Sequence, residues 1–158
     1  MSRKISELSP KEVLALAIQI EQANGECLRK FAKAFDGYDP KVAEKFRELA
    51  EEEDLHEVWL TEKFKSRFKG PIPPIEALDV EDMGAAVEWE SPPNNVVDIL
   101  KADEIYQQAL AAEYRARKFY EEAGSVASDK SLVLLFRQLA KMENDHAGWL
   151  EKKIQALT

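Results

Sequence analysis

Both histidines of the chain, His56 and His146, follow a glutamate by three residues. Residues at positions i and i+3 lie on one face of an α-helix, so each Glu-x-x-His pair can present a carboxylate and an imidazole to the same ion. Oxygen and nitrogen donors of these two types suit iron and manganese. The pairs Glu53/His56 and Glu143/His146 therefore indicate metal chemistry.

The two pairs lie in an internal repeat. Residues 46–63 read FRELAEEEDLHEVWLTEK, residues 136–153 read FRQLAKMENDHAGWLEKK, and nine of the eighteen aligned positions are identical at an offset of 90. Unrelated segments of ordinary composition would share about one position over this length. A lone Glu-x-x-His on a glutamate-rich helix is usually a solvated face, whereas two copies on two helices are a pattern that metal sites use.

Composition excludes several classes of function. A net charge of −8 argues against a nucleic-acid partner, because phosphate binding needs an excess of Lys and Arg. No run approaches the roughly 20 apolar residues that span a bilayer, so we expect no membrane partner. The single cysteine, Cys27, excludes an intrachain disulfide framework. The N-terminal sequence MSRKISELSP has no apolar run, so we expect no secretory signal and a cytoplasmic protein.

Capping signals divide the chain into long helices. Ser9 and Glu12 form a predicted capping box around Pro10, and Asp39-Pro40 opens the second helix in a similar way. Asn95 is the predicted cap of the third helix, and Ser128 or Asp129 that of the fourth. The predicted helices span about 10–35, 40–68, 96–123 and 129–156.

The connections between the helices predict the fold. Short turns join the first helix to the second and the third to the fourth, so each pair should form an antiparallel hairpin. The segment of about 70–95 between the hairpins carries five of the seven prolines and could extend to about 85 Å, well beyond a helix of about 40 Å. This predicts an all-α, ferritin-like four-helix bundle with one long crossover, as one domain spanning 1–158. The alternative of two separate hairpin domains is disfavoured because one hairpin cannot bury its own apolar stripe.

Glutamates and histidines interrupt the apolar stripes of these helices. The stripe of the second helix runs from Val42 to Phe64, and Glu53 and His56 occupy its two central positions. The fourth helix repeats this arrangement with Glu143 and His146. In the first and third helices, the residues at mid-stripe are Glu21 and Glu113.

Chain distances place the four carboxylates at about one level of the bundle, since they lie 13 to 17 residues from the turns near Tyr38 and Val126. Four ionised carboxylates in an apolar core repel one another, and two divalent cations would offset their charge. One Glu from each of two helices and Glu-x-x-His from each of the other two is the pattern of carboxylate-bridged di-iron or di-manganese sites. The predicted ligands of two iron ions, or of manganese, are Glu21, Glu53, His56, Glu113, Glu143 and His146.

These residues resemble the rubrerythrin-like branch of the ferritin-like superfamily over essentially the whole chain. The matching segments are Glu21, LAEEEDLH, AAEYRARKFYEEA and LAKMENDH. The resemblance implies a non-haem di-iron site that reduces hydrogen peroxide, or that oxidises Fe(II) with O2 or peroxide, within a homodimer.

Two differences from rubrerythrins alter the expected reaction. Rubrerythrins carry a rubredoxin domain with four cysteines, which Cys27 alone cannot form. We therefore expect an external electron donor, either a rubredoxin-like protein or a flavoprotein. Rubrerythrins also tend to carry a second glutamate three residues after the first in the third helix, where this chain has Ala116. That carboxylate is tied in the family to the redox-linked shift of one iron.

Other polar residues are candidates for supporting roles. Tyr106 and Tyr120 lie two turns on either side of Glu113. They are candidate catalytic residues that quench oxidants or support the ligands, with core packing as the alternative. Asp54 and Asn144 occupy matching repeat positions and are candidates for orienting a histidine, with solvated helix faces as an equally supported alternative. Three functions remain open: a di-iron peroxidase or oxidase, an iron-handling ferroxidase, and a metal-free structural bundle.

Overall fold

Four long helices form the bundle. The computed structural model describes residues 3–77, 80–81 and 99–157. After a short 3-10 helix at Ile5–Glu7, the helices are α1 (Pro10–Phe35), α2 (Pro40–Arg67), α3 (Ile99–Val126) and α4 (Lys130–Ala156). The predicted start of the third helix near residue 96, its cap at Asn95 and most of the crossover of about 70–95 lie outside the described residues. That residues 1–158 form one domain remains a prediction.

Side-chain caps fix where the helices begin. Ser9 and Glu12 form the capping box at the start of α1. Asp39 and Asp129 accept hydrogen bonds from free backbone N–H groups in the first turns of α2 and α4. A cap sets the first residue of a helix, and the helix then turns once every 3.6 residues. The apolar stripe along each helix then determines which side chains face the core.

The helices bury two separate apolar clusters. The first apolar cluster contains residues such as Leu14 and Phe136, from the N-terminal halves of α1 and α4 and the C-terminal halves of α2 and α3. The second apolar cluster contains residues such as Phe31 and Phe46, from the opposite halves of the same helices. Thus α1 and α4 run in one direction and α2 and α3 in the other. The prediction of a ferritin-like four-helix bundle is confirmed.

The described part of the crossover begins beside α1. Ile75, Ala77 and Val80 are buried in the first apolar cluster. The side-chain amide of Gln19 donates a hydrogen bond of 2.7 Å to the backbone oxygen of Ile75. This part of the connection therefore extends the core at the end of the bundle where α1 begins. Within the described residues, no helix is both long enough and apolar enough to cross a membrane.

A polar layer separates the two apolar clusters on every helix. On α1 the first cluster ends at Ile20 and the second begins at Cys27, and on α2 the second ends at Ala50 and the first resumes at Leu60. Similar gaps occur on α3 and α4. The buried titratable residues in these gaps are Glu21, Glu53, His56, Glu113, Glu143 and His146.

Candidate metal centre

The polar layer collects side chains from all four helices. Its six titratable members are the residues predicted from the sequence as metal ligands, and each is between 0% and 6% exposed. Removing a carboxylate from water without a compensating charge costs several kcal/mol, on the order of the stability of a whole domain. A layer of this composition therefore needs cations or protons to exist in a folded core.

The six side chains form two overlapping groups of candidate ligands. In each group the ligand atoms all lie within 4.8 Å of one another. Glu53 and Glu143 belong to both groups, and a carboxylate has two oxygens with which to bridge two ions. The Glu21 group is Glu21, Glu53, His56 and Glu143; the Glu113 group is Glu53, Glu113, Glu143 and His146.

The two histidines enter the layer in equivalent ways. Their rings are nearly parallel, at 10°, with centroids 6.1 Å apart. Each Nδ1 lies near a shared carboxylate of the opposite hairpin and an unshared carboxylate of its own hairpin. The distances are 3.1 Å to Glu143 and 3.6 Å to Glu21 for His56, and 3.0 Å to Glu53 and 3.6 Å to Glu113 for His146.

The atoms that face one another in the layer fit a metal pair. Among the described residues, both oxygens of Glu53 and of Glu143 are buried and accept no well-aligned hydrogen bond, and Nδ1 of each histidine donates none, although a carboxylate oxygen lies within 3.1 Å of each Nδ1. Buried polar atoms are rarely left unpaired, because they have lost water and gained nothing in its place. Ligation by two divalent cations would satisfy them, and the oxygen and nitrogen donors suit iron or manganese.

In the absence of cations, two of the buried carboxylates favour the protonated form. Burial, followed by repulsion from Glu143 and Glu21, raises the pKa of Glu53 well above its ordinary value. Burial and the charge of Glu143 raise the pKa of Glu113 in the same direction. Metal binding must therefore displace protons from this layer, as is general for sites with carboxylate ligands.

The histidines also favour the protonated form. Burial alone lowers the pKa of His56, but its contacts with Glu143 and Glu21 outweigh burial and raise the pKa to about 9. Burial likewise opposes the charge on His146, while its contacts with carboxylates, Glu113 first, raise the pKa to about 11. A cation at Nδ1 would take the place of a proton on each ring.

The two candidate tyrosines lie in different surroundings. The Tyr120 hydroxyl donates a hydrogen bond to Glu21 Oε1, and burial, together with the charges of Glu21 and Glu143, raises the pKa of Tyr120 well above its ordinary value. Tyr106 stacks on Phe35 with ring centroids 5.4 Å apart. The structure thus brings Tyr120 to the polar layer and places Tyr106 in the second apolar cluster.

One supporting residue was not found by sequence reasoning. Glu52 lies 2.8 Å from Nε2 of His146, and the Glu52 side chain is 55% exposed. The histidine contact, opposed by burial, lowers the pKa of Glu52. When Nε2 donates a hydrogen bond to this carboxylate, Nδ1 is the ring nitrogen that remains available to a cation. Glu52 therefore orients His146 and links it to the protein surface.

The two residues considered for orienting the histidines, Asp54 and Asn144, instead make surface contacts. Asp54 accepts hydrogen bonds of 3.0 Å from Arg29, and Asn144 accepts one of 2.8 Å from Arg117. Both pairs lie on the surface. The recurrence of a polar residue at both repeat positions therefore does not indicate a contact with a histidine, because nearby arginines bind both side chains.

Comparison with known proteins agrees with this geometry. The sequence model of the family described as Rubrerythrin matches residues 12–106 and 104–158. The chain belongs to the rubrerythrin family. No curated protein matches the chain closely.

Two solved structures share the bundle. A hypothetical protein from Pyrococcus furiosus is 24% identical with a TM-score of 0.82, and the match covers 97% of this chain and 92% of that one. An uncharacterised conserved protein from Magnetospirillum magnetotacticum is 22% identical with a TM-score of 0.74, covering 94% of this chain and 95% of that one. At these identities, the likeness shows the fold alone.

One position sets this member apart from the rubrerythrin pattern expected from the sequence. Ala116, one turn after Glu113, is fully buried and belongs to the first apolar cluster. A methyl group cannot ligate metal, so α3 contributes one carboxylate to the layer, as α1 does.

Proposed function

We propose that the chain is a non-haem di-iron oxidoreductase that reacts with hydrogen peroxide or O2 and receives electrons from an external rubredoxin-like or flavoprotein donor. The observation that carries this proposal is the pair of overlapping groups that share Glu53 and Glu143. When bound, two adjacent iron ions supply redox electrons and a joint binding position for the oxidant. Manganese is the alternative metal, because the same donors suit it.

The chain's own residues would hold the ions and orient the ligands. The Glu21 group would hold one ion and the Glu113 group the other. The Tyr120 hydroxyl donates a hydrogen bond to one oxygen of Glu21 and would leave the other oxygen available to an ion. Glu52 occupies Nε2 of His146 and so leaves Nδ1 for the second ion. The apolar clusters on both sides of the layer exclude bulk water, which strengthens charge interactions within it.

Protons would leave as the ions enter. The pKa values of Glu53 and Glu113 are raised in the metal-free layer, and those of both histidines are raised as well. The exposed carboxylate of Glu52 touches the buried ring of His146, so it provides a proton acceptor at the surface end of this contact. Metal affinity should consequently rise with pH until the ligands are deprotonated.

Metal content and oxidation chemistry test the proposal together. Protein purified without oxygen from iron-replete cells should contain about two iron ions per chain by elemental analysis. Adding peroxide should produce the near-ultraviolet absorption of a diferric site. Peroxide should be consumed together with NADH when a rubredoxin-type donor and an NADH-dependent reductase for that donor are supplied. Protein without metal after this preparation would favour the structural bundle instead.

Ala116 favours a second candidate function, an iron-handling ferroxidase. The family resemblance ties a carboxylate at this position to the redox-linked shift of one iron, and this chain lacks it. Without that carboxylate, Fe(II) should be oxidised readily, while repeated peroxide turnover should be slow. Release of Fe(III) after oxidation, measured beside steady-state peroxide consumption, distinguishes the two functions.

The resemblance also implies a homodimer, and light scattering tests this proposed oligomeric state.

A further inference from the structure

Asn24 is a buried amide to which the proposed function assigns no role. It is 1% exposed, and neither its Oδ1 nor its Nδ2 has a hydrogen-bond partner among the described residues. An amide that leaves water without gaining a partner lowers stability. A small polar molecule inside the bundle would remove this cost.

Asn24 lies in the polar layer. It follows Glu21 by one helical turn, so both residues lie on the same face of α1. The first apolar cluster ends at Ile20 on this helix, and the second begins at Cys27. Glu21 and Asn24 are the two buried polar residues between them. The unpaired amide therefore lies at the level of the Glu21 group.

The matching position of the other hairpin is apolar. When Glu21 of α1 is aligned with Glu113 of α3, Asn24 aligns with Ala116, which is fully buried in the first apolar cluster. The amide is thus an addition on one side of the layer. Packing alone does not require it, since alanine fills the equivalent place in α3.

We propose that Asn24 binds a small anionic or oxygen-donor ligand, of the size of hydroperoxide or azide, that enters the layer beside Glu21. The amide N–H groups of Asn24 donate hydrogen bonds to it. Without this amide, the four carboxylates would offer such a ligand only hydrogen-bond acceptors. The inference rests on the proposed metal pair, because an anion enters this layer only after cations have offset the charge of the carboxylates.

Azide binding to the iron-loaded, air-oxidised protein tests the proposal. Asn24→Leu and Asn24→Ala should each retain about two iron ions per chain and weaken azide binding, followed by its absorption band, by about tenfold, the effect of one lost hydrogen bond. Metal-free Asn24→Leu should melt at or above the wild-type temperature, because an apolar side chain of similar shape replaces an unpaired amide. Cys27→Ala, buried one turn further along α1, should leave azide affinity unchanged.

The remaining outcomes separate this inference from the proposed function. Equal azide affinity in wild type and both Asn24 variants would overturn the role of Asn24 while leaving the metal pair in place. Loss of one iron from Asn24→Ala would also overturn it, since Asn24 would then be a metal ligand. Wild-type protein that takes up no iron would refute the proposed function and this inference together.

Discussion

The hairpin of α1 and α2 and the hairpin of α3 and α4 supply equivalent candidate ligands in unequal surroundings. Each contributes one lone glutamate and one Glu-x-x-His, and the two histidines make matching contacts. The neighbours of these ligands do not match. The unmatched pairs of aligned positions are Tyr120 and Leu28, Asn24 and Ala116, and Glu52 and Met142.

This difference separates the geometry of the site from its chemistry. The duplicated residues define two positions at which ions would lie, because each hairpin supplies the same set of side chains. The unmatched residues determine which other side chains surround each ion. Glu21 accepts a hydrogen bond from a hydroxyl and is followed one helical turn later by Asn24, whose amide has no partner in the described part of the chain. The exposed carboxylate contact belongs to His146 in the Glu113 group. The two ions are thus expected to differ in affinity and in access to ligands.

The largest effect should follow loss of a shared carboxylate. Glu53 and Glu143 each belong to both groups, so Glu53→Ala or Glu143→Ala should remove most metal from both positions, as measured by elemental analysis. Glu104→Ala removes an exposed carboxylate of α3 and should leave metal content unchanged. Equal loss from all three variants would mean that the polar layer is not the metal site.

Removal of metal should lower the melting temperature at neutral pH. A ligand present at 100 times its Kd adds about 2.7 kcal/mol to the free energy of unfolding, which corresponds to roughly 5–10 °C for a chain of this size. Calorimetry of iron-loaded and EDTA-treated samples measures the difference. Coincident melting of the two samples would argue for the metal-free structural bundle.

The stability of the metal-free protein should fall as pH rises. The folded pKa values of His56 and His146, about 9 and about 11, lie above the ordinary histidine value of 6.5, so the folded state binds more protons than the unfolded state. Their contribution is complete below pH 6.5 and is lost as pH rises through 9 and 11. The raised pKa of Glu53 acts in the same direction. Melting scans from pH 6 upward should show this decline, and metal-loaded protein should show less of it. Constant stability of the metal-free protein across this range would refute the protonated layer.

Glu52→Ala should weaken the Glu113 group more than the Glu21 group. Removing a carboxylate that orients a metal-binding histidine typically lowers metal affinity by about 10- to 100-fold, and position 142 in the other hairpin offers only methionine. Titration with Co(II) should therefore show one weakened site and one unchanged site. Glu51→Ala removes the neighbouring exposed carboxylate and serves as the control. Uniform weakening of both sites would show that Glu52 acts through overall charge.

The smallest effect is expected from the tyrosines. Tyr120→Phe leaves Glu21 Oε1 without its donor and should lower the free energy of unfolding by about 1 kcal/mol. Tyr106→Phe changes a ring that is held by stacking on Phe35, so its effect should be smaller. Urea denaturation of the two metal-free variants compares them. A larger loss from Tyr106→Phe would reverse the roles assigned to the two residues.

The repeat made the residues of the polar layer predictable from the sequence, whereas the contacts around that layer were not predictable. Helical periodicity shows which face a residue occupies, and that was enough to place Glu53 and His56 at the centre of a buried stripe. It does not show which of several nearby polar groups a side chain will choose. Glu52 is one of three consecutive glutamates, and its contact with His146 depends on the packing of α2 against α4. Asp54 was open to two interpretations, a contact with a histidine or a solvated helix face, and its ion pair with Arg29 on the surface bears out the second.

The two shared carboxylates, Glu53 and Glu143, come one from each hairpin, and this equal division of the candidate ligands has an evolutionary consequence. Each hairpin carries half of the ligand set, so two copies of one hairpin, related by a true twofold axis, would assemble all six ligands. Such a homodimer must be identical on both sides of its axis, because any substitution appears twice. Joining the copies in one chain removes that constraint. An amide at Asn24 with a methyl at Ala116 is an asymmetry that a fused chain can encode and a symmetric ancestor could not.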